Sequence, residues 1–561
     1  MRRDLEMNRK MAQKTTIVTY RKSKMTETDI HNENERLKIE CKCNVQHLSN
    51  VGAFILTYDS SPRNRAKVLE LDSSKEMGVD DEVVFIFDDQ ITYDDGNINQ
   101  PQKNKRGWPP NDAHFPSQWA LSNLINDADI NIKAGWSEYL SDPIGASSNG
   151  PEVVVAVIDT GIDNNHPDLR NQIWNNPGEI PDNGIDDDGN GIIDDLFGAD
   201  FTREIQNGNP IDRFGHGTHC AGIIAAEKNN GIGTAGVASV AGSKVKIMAV
   251  KGITDGGSGR LSGLLMSLNY AIGHGAKISS NSWGSNNSIS DAAAKAWSHV
   301  LQNNPDHLFV ASAGNDNQIV DNKNRRWTCG LEEPNLLCVA SSTKKDTKSS
   351  FSNFGRSNVH VFAPGSRIYS TLPNTRYGIA SGTSMACPHA SGLAAMLITL
   401  RCGLSGQEIR ILIENNVQVK PFYRDLVSSG GLIDVAKTIR ALKKSGSKLI
   451  MSKSTQYNNI LGLCHVLLRM IDFSDGLKGK PSMVKSFLSC IVGYNSRPIW
   501  WNQILFDKNN FALQNIHDEE ISHDKDGLES YEDNEDPAWD TEMYVHNDVH
   551  SADKRHDKSK F

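Results

Sequence analysis

From about residue 150 onward the chain repeats one rhythm. A short apolar run is followed by glycine-rich or polar punctuation, and then by a longer stretch with apolar positions at helical spacing. The apolar runs at 153–158, 245–250, 278–281, 308–313 and 337–340 do not alternate with polar residues, which predicts strands buried on both faces. The helix-compatible stretches are 219–226, 262–272, 289–302 and 384–400. Strands separated by helices predict an α/β fold over residues 115–440, with a central, mostly parallel sheet between two helical layers. Reactive groups in such sheets gather at the carboxyl ends of strands.

The rest of the chain has a different texture. Strand patterns at 51–57 and 81–87, with a helix near 63–71, predict a small α+β unit over residues 31–95. Residues 1–30 are polar and aperiodic and are expected to be disordered, and 96–114, rich in Asn, Asp, Gln, Pro and Lys, reads as an exposed linker. In the extension 441–561, apolar segments at 459–471 and 483–494 are too short and too interrupted to span a membrane, and read as buried helices. Between Asp518 and Glu542 there are twelve carboxylates and one lysine, the pattern of a solvated, disordered tail.

Composition narrows the classes. A chain of 561 residues exceeds what one core usually organises. A formal charge of −9 gives no reason to expect nucleic acid as a partner, and nine cysteines are too few for a disulfide-built scaffold. The basic first residues have no apolar stretch behind them, so they do not read as a secretion signal.

Four residues then stand out where the rhythm breaks. Asp159 ends the run VVVAVID, where a carboxylate is held rigidly at the sheet's edge; the bland alternative is a solvated loop Asp. His216, in FGHGTHCAGIIAA, lies between two glycines ahead of a small-residue helix, although His219 is close enough to be confused with it and the string also suits a structural or metal site. Ser384, in GIASGTSMACPHASGLAAML, begins a helix whose unpaired N–H groups can bind a developing oxyanion; simple N-capping is the alternative, and Pro388 and His389 break the helical run. Asn315, in LFVASAGND, offers a neutral donor after an apolar strand, or an ordinary strand-end turn.

The stretch DNGIDDDGNGIIDD at 182–195 is acidic in a patterned way. Asp186, Asp188, Asn190 and Asp194 fall on alternate positions, with Ile192 placed to offer a carbonyl, which is the oxygen spacing of an EF-hand loop through its ninth position. The twelfth position is Phe197 instead of Glu, and no flanking helix is evident, so this is not an EF-hand. Carboxylates this dense repel one another without a cation, which favours a structural Ca2+ site over a solvated loop. Cys329 and Cys338 flank a short loop and are the best candidate disulfide.

Taken together, VVAVIDTGIDNNHPDL, GHGTHCAGIIAA and GTSMACPHASGLAAML resemble the three signature segments of the subtilisin-like serine peptidases, and ASAGN resembles their oxyanion segment. The order Asp, His, Asn, Ser is that of subtilisin. The resemblance implies that Asp159 orients His216, His216 moves the proton, Asn315 donates to the oxyanion and Ser384 forms an acyl-enzyme. It implies that Gly257, Ser258 and Gly259, with Ser282, Trp283 and Gly284, bind substrate as an added strand. Trp283 stands where the family often has leucine, so its ring either reshapes the pockets beside the scissile bond or packs in the core. The acidic stretch resembles calcium loops of some bacterial and apicomplexan parasite subtilases, which implies that Asp182 or Asp195 completes the shell. A second calcium site is implied at Asp168 with Asn230, Ile232 and Thr234, and Cys220 reads as a buried free thiol beneath the active site.

The resemblance further implies that the unit at 31–95 is an inhibitory, chaperoning propeptide removed by self-cleavage between Asp89 and His114. The expected protein is a monomeric endopeptidase acting on polypeptides, secreted or held in a secretory organelle, with the cytoplasm as the runner-up. An exopeptidase of the same fold and an inactive calcium-dependent binding protein are the alternatives.

Overall fold

The structure, a computed structural model, describes residues 13–19, 26–41, 44–59, 78–80, 83–85, 90–94 and 108–445, the last range without 124, 148–149, 204, 285–290 and 322–327. The expected helix near 63–71, most of the linker and nearly all of the 441–561 extension lie outside the described residues.

The N-terminal part comprises β1 (Gln13–Thr19), α1 (Glu27–Cys41), β2 (Asn44–Leu48), β3 (Ala53–Asp59) and β4 (Gly78–Asp80), with strands in the order β2-β3-β1-β4. Helix α1 begins with reciprocal capping: Thr26 Oγ1 accepts from the Asp29 N–H, while Asp29 Oδ2 accepts from the Thr26 N–H. The disorder expected over residues 1–30 does not hold for 13–19, which form a strand, or for 26–30, which cap and begin α1. Strand β1 is antiparallel to β3, with Ile17 opposite Ile55, and both side chains are buried. Its partner lies far along the chain, so local composition cannot register what stabilises it.

Two short strands follow, β5 (Val83–Phe85) and β6 (Gln90–Asp94), and then helices α2 (Ile132–Leu140) and α3 (Pro143–Ala146). The expected α/β rhythm begins with β7 (Val153–Asp159), β8 (Gly198–Asp200), α4 (His216–Ala225) and β9 (Val245–Lys251). It continues through β10 (Ser258–Arg260), α5 (Leu261–Gly273), β11 (Ile278–Asn281), α6 (Asp291–Gln302) and β12 (Leu308–Ser312). The remaining elements are β13 (Leu336–Ser342), β14 (Val361–Pro364), β15 (Ile368–Leu372), β16 (Arg376–Ser381), α7 (Thr383–Leu400), α8 (Gly406–Glu414), β17 (Gln418–Val419), β18 (Gly431–Leu432) and α9 (Val435–Ser445).

Nine strands form the central sheet in the order β17-β18-β14-β13-β12-β11-β7-β9-β8. All of its ladders are parallel except that between β17 and β18. Strand β7 explains why the apolar runs do not alternate. Val153, Val155 and Val157 join one apolar core with α4, α7 and α9, while Val154, Ala156 and Ile158 join a second core with α5 and α6. At about 1.5–3 kcal/mol per fully buried valine or isoleucine side chain, both faces of this strand contribute to stability. The three-layer expectation holds.

The second core also takes in Ile17, Leu48, Val51 and Ile55, so the N-terminal sheet covers the α5–α6 side of the molecule. Polar contacts fix it there: Asn50 N–H donates to Asn269 Oδ1 at 2.9 Å, and Asn303 Nδ2 donates to the Val51 carbonyl at 3.2 Å.

Candidate active site

Strand β7 carries Asp159 to the carboxyl edge of the sheet, and α4 starts beside it with His216. Gly215 has φ 105°, a left-handed turn that aims the helix start at the strand end. A Cβ at Gly217 would lie 2.1 Å from the Gly161 carbonyl oxygen, so only glycine allows this approach. His216 Nδ1 and Asp159 Oδ1 are 2.7 Å apart, and neither side chain has exposed surface. Asp159 Oδ1 also accepts from the Thr160 N–H at 2.7 Å. With Nδ1 committed to the carboxylate, proton transfer falls to Nε2. His219, by contrast, is a buried structural histidine. Its Nε2 lies 3.1 Å from the Ile368 carbonyl, and burial, with the neighbouring His216, pushes its pKa down to about 3.

Ser384 is in the first turn of α7, which packs against α4. Its hydroxyl donates to the Ser282 carbonyl at 3.2 Å. The break expected at Pro388 is absent, because α7 runs unbroken from Thr383 to Leu400. Pro388 has no N–H for the carbonyl four residues before it, which is that of Ser384. That carbonyl accepts from Ser282 Oγ at 2.8 Å and from Cys220 Sγ at 3.5 Å, so the helix continues without an orphaned acceptor. Cys220 is buried against the nucleophile's backbone, as expected.

Asn315 follows β12, and its Oδ1 accepts from both the N–H and the hydroxyl of Thr383, each at 2.9 Å. These two donors set the amide's orientation, with its oxygen turned to Thr383.

Of the residues expected to form the substrate edge, Gly257, Ser258 and Gly259 lie on or beside β10. Strand β10 pairs antiparallel with β5, Gly259 opposite Val84 and Ser258 opposite Phe85. Strand β6 pairs antiparallel with β16, Gln90 opposite Ser381. Trp283 behaves differently from the pocket-shaping alternative. Its side chain is wholly buried, its Nε1 donates to the Ile158 carbonyl at 2.7 Å, and it packs with Trp297 and Phe309. The ring completes hydrogen bonding at the end of β7 and faces the core. Phe214, two residues before His216, is partly exposed and lies over Gly257, at the start of the expected substrate edge; sequence reasoning passed over it.

The acidic loop folds into two clusters: Glu179 with Asp186 and Asp188, and Asp188 with Asp195 and His274, the ligand atoms within each lying no more than 4.8 Å apart. Asn190 bridges them, its Nδ2 donating to Asp188 and Asp195. Two expected ligands are in neither cluster. Asp194 accepts from the Asn183 and Gly184 N–H groups and closes the turn, and Asp182 lies in neither cluster. Ile192 packs its side chain into the second core. Glu179 and His274 were missed because they lie outside the patterned stretch. Glu179 Oε1 accepts from the Asp187 and Asp188 N–H groups, while Oε2 is buried with no hydrogen-bond partner. An ionised oxygen left so is costly, and a cation beside Asp186 and Asp188 would satisfy it. The first cluster therefore fits a hard cation; the second includes a nitrogen.

At the second expected site, Asp168 is buried and accepts from Asn230 Nδ2 at 2.6 Å and from the Thr234 N–H at 2.8 Å. Ile232 lies in the same loop, its N–H donating to Asn230 Oδ1. Burial pushes the Asp168 carboxyl up to about 7. Cys329 and Cys338 are joined as expected, with Cα atoms 5.5 Å apart.

A parallel sheet that ends in a buried Asp–His pair, beside a helix-start serine and an oriented amide, is the site of a serine-nucleophile hydrolase. The chain belongs to the subtilase family, whose model matches residues 150–449. It is 37% identical to thermitase from Thermoactinomyces vulgaris over 314 residues, 55% of this chain and 91% of that protein. It is 32% identical to subtilisin-like protease 1 of Plasmodium vivax over 378 residues, covering 63% of this chain and 55% of the relative. It is 33% identical to a thermophilic serine proteinase of Bacillus sp. (strain AK1), covering 55% of this chain and 63% of that one. The chain thus spans little more than half of the Plasmodium protein. Family membership makes it a serine endopeptidase, and among the described residues no helix is long and apolar enough to cross a membrane.

Proposed function

We propose that this is a cation-supported endopeptidase that is made with its own inhibitor and releases it by self-cleavage. In the reaction, His216 Nε2 takes the Ser384 hydroxyl proton as Oγ attacks the scissile carbonyl. Asp159 holds the imidazole and stabilises its charged form, and Asn315 Nδ2 with backbone N–H groups at the start of α7 binds the oxyanion. His216 then returns the proton to the leaving amine, and water hydrolyses the acyl-enzyme by the same steps.

The observation that carries the inhibitor reading is the pair of short ladders. One covalent chain adds β5 to the edge at β10 and β6 to β16, the strand that runs up to the Ser384 segment. A cleft that takes a chain continuing in both directions suits internal bonds better than chain ends, which disfavours the exopeptidase alternative. Only residues 86–89 join the two strands, which favours the Asp89 end of the 89–114 window for self-cleavage.

The proposed cation is calcium, held by Glu179, Asp186 and Asp188 with Asn190 and Asp195 alongside, and at the second site by Asp168, Asn230 and the 232–234 loop. It would supply structural support and take no part in the chemistry. The Cys329–Cys338 disulfide supports synthesis through an oxidising secretory compartment. Sequencing the N-terminus of purified mature enzyme tests the inhibitor reading. A new terminus near Asp89 is expected. A mature, active enzyme that retains residues 13–94 would overturn it.

A further inference from the structure

We infer that Asp212 is a positioning residue for His216, clamping the first turn of α4 to the end of β7 through Thr160. It touches none of the reacting atoms and acts through the catalytic histidine, so the inference rests on His216 being the base.

The carboxylate is 3% exposed and receives five hydrogen bonds. Asp212 Oδ1 accepts from Thr160 Oγ1 at 2.9 Å, from the Phe214 N–H at 3.0 Å and from the Gly215 N–H at 2.8 Å. Asp212 Oδ2 accepts from the N–H and the hydroxyl of Thr218, at 2.9 and 2.6 Å. These donors bracket His216 from two residues before it to two residues after it. The Thr160 hydroxyl, besides donating to Asp212, accepts from the Gly217 N–H at 3.0 Å. Thr160 N–H in turn donates to the Asp159 oxygen that faces His216.

The result is a closed circuit. Asp159 binds the imidazole directly, and Asp212 with Thr160 binds the backbone on both sides of it. A loop entering through the left-handed Gly215 has little rigidity of its own. Both carboxylate oxygens face only donors in these contacts, so the site is specific for an anion. An asparagine there would set its NH2 against donors whichever way it turned. Burial raises the Asp212 carboxyl from its ordinary value, and the donors from Gly215, Thr218 and Thr160 oppose that rise. Only the ionised form is acceptor-only at both oxygens.

The test compares full-length Asp212→Asn, Thr160→Val and Thr160→Ser after maturation, with kcat expressed per site titrated by a serine-reactive fluorophosphonate. A histidine displaced by about 1 Å costs up to about 10²-fold in rate. Asp212→Asn is therefore expected to lower kcat by about 10–100-fold with KM within about threefold, and to move the acidic limb of the kcat/KM profile to lower pH. Thr160→Val should show the same split more mildly, and Thr160→Ser, which keeps the hydroxyl, should recover most of the loss. If Asp212→Asn fails to fold, the two Thr160 variants decide alone. The inference is overturned if kcat per titrated site stays within threefold of the parent, if the pH profile does not move, or if Thr160→Ser loses as much as Thr160→Val. Failure of the parent enzyme to label at Ser384 would instead overturn the catalytic reading itself.

Discussion

Trp283 offers the sharpest separation between motif and structure, because its segment binds substrate in the family while its ring lies inside the protein. Replacing it with leucine removes two things. The Ile158 carbonyl, which accepts from the indole at 2.7 Å, loses that buried donor, a cost of about 1–3 kcal/mol. The ring also leaves a hole against Trp297 and Phe309, 6.3 and 6.1 Å away between centroids. Truncating a buried tryptophan to alanine costs about 3–5 kcal/mol, and leucine refills roughly half of that space. The total for Trp283→Leu is therefore about 3–5 kcal/mol, or on the order of 10 °C in melting temperature for a domain of this size. Trp283→Phe keeps most of the ring but loses the donor and should cost about 1–3 kcal/mol. The assay is a melting curve of each matured enzyme beside its cleavage profile on a peptide library. Both variants should melt lower in the stated order, with the parent's preference around the scissile bond unchanged. A variant with parental stability and altered preference would show that the ring lines a substrate pocket, and the burial reasoning would be wrong.

Two other predictions concern support rather than chemistry. Chelation should lower the melting temperature and added calcium should restore it, and Glu179→Gln or Asp186→Asn should narrow the gap between the two curves; a melting curve indifferent to chelator after bound ions have been stripped would refute the cation assignment. Acid should destabilise the fold through its buried neutral histidines. Burial pushes His307 and His389 down to about 4. Between about pH 4 and 6.5 the unfolded chain therefore binds protons that the folded chain does not. Their stabilising effect is complete above about pH 6.5 and lost as pH falls toward 4, so His307→Gln should flatten that slope, and an unchanged slope would refute the contribution of His307.

The catalytic layout is legible in the sequence because each key residue sits where an apolar period ends. Asp159 closes a strand, His216 and Ser384 open helices, and Asn315 follows a strand, and these boundaries moved by no more than a few residues in the structure. What the sequence hides depends on partners far along the chain. Strand β1 is recognisable only once β3 lies beside it. Pro388 reads as a break until Ser282 and Cys220 satisfy the carbonyl it abandons. The alternate acids of 182–195 look equivalent, yet Asp194 serves a turn while Glu179, outside the pattern, brings the buried oxygen. Asp212 is one acid near a histidine until five donors converge on it. Motif spacing reports which atoms are available, and folding decides which way they face.

The most direct test of the central claim compares Ser384→Ala with Asn315→Ala and the parent, each purified free of other peptidases. Propeptide release, peptide hydrolysis and labelling by a serine-reactive probe are measured on all three. One nucleophile should perform both cleavages, so Ser384→Ala is expected to abolish release, hydrolysis and labelling together and to accumulate as the uncut precursor. Asn315→Ala removes a donor that matters in the transition state, a loss of about 2.7–4 kcal/mol or about 10²–10³ in turnover, so slow maturation and labelling should persist. A Ser384→Ala protein that still matured and still labelled would contradict the account.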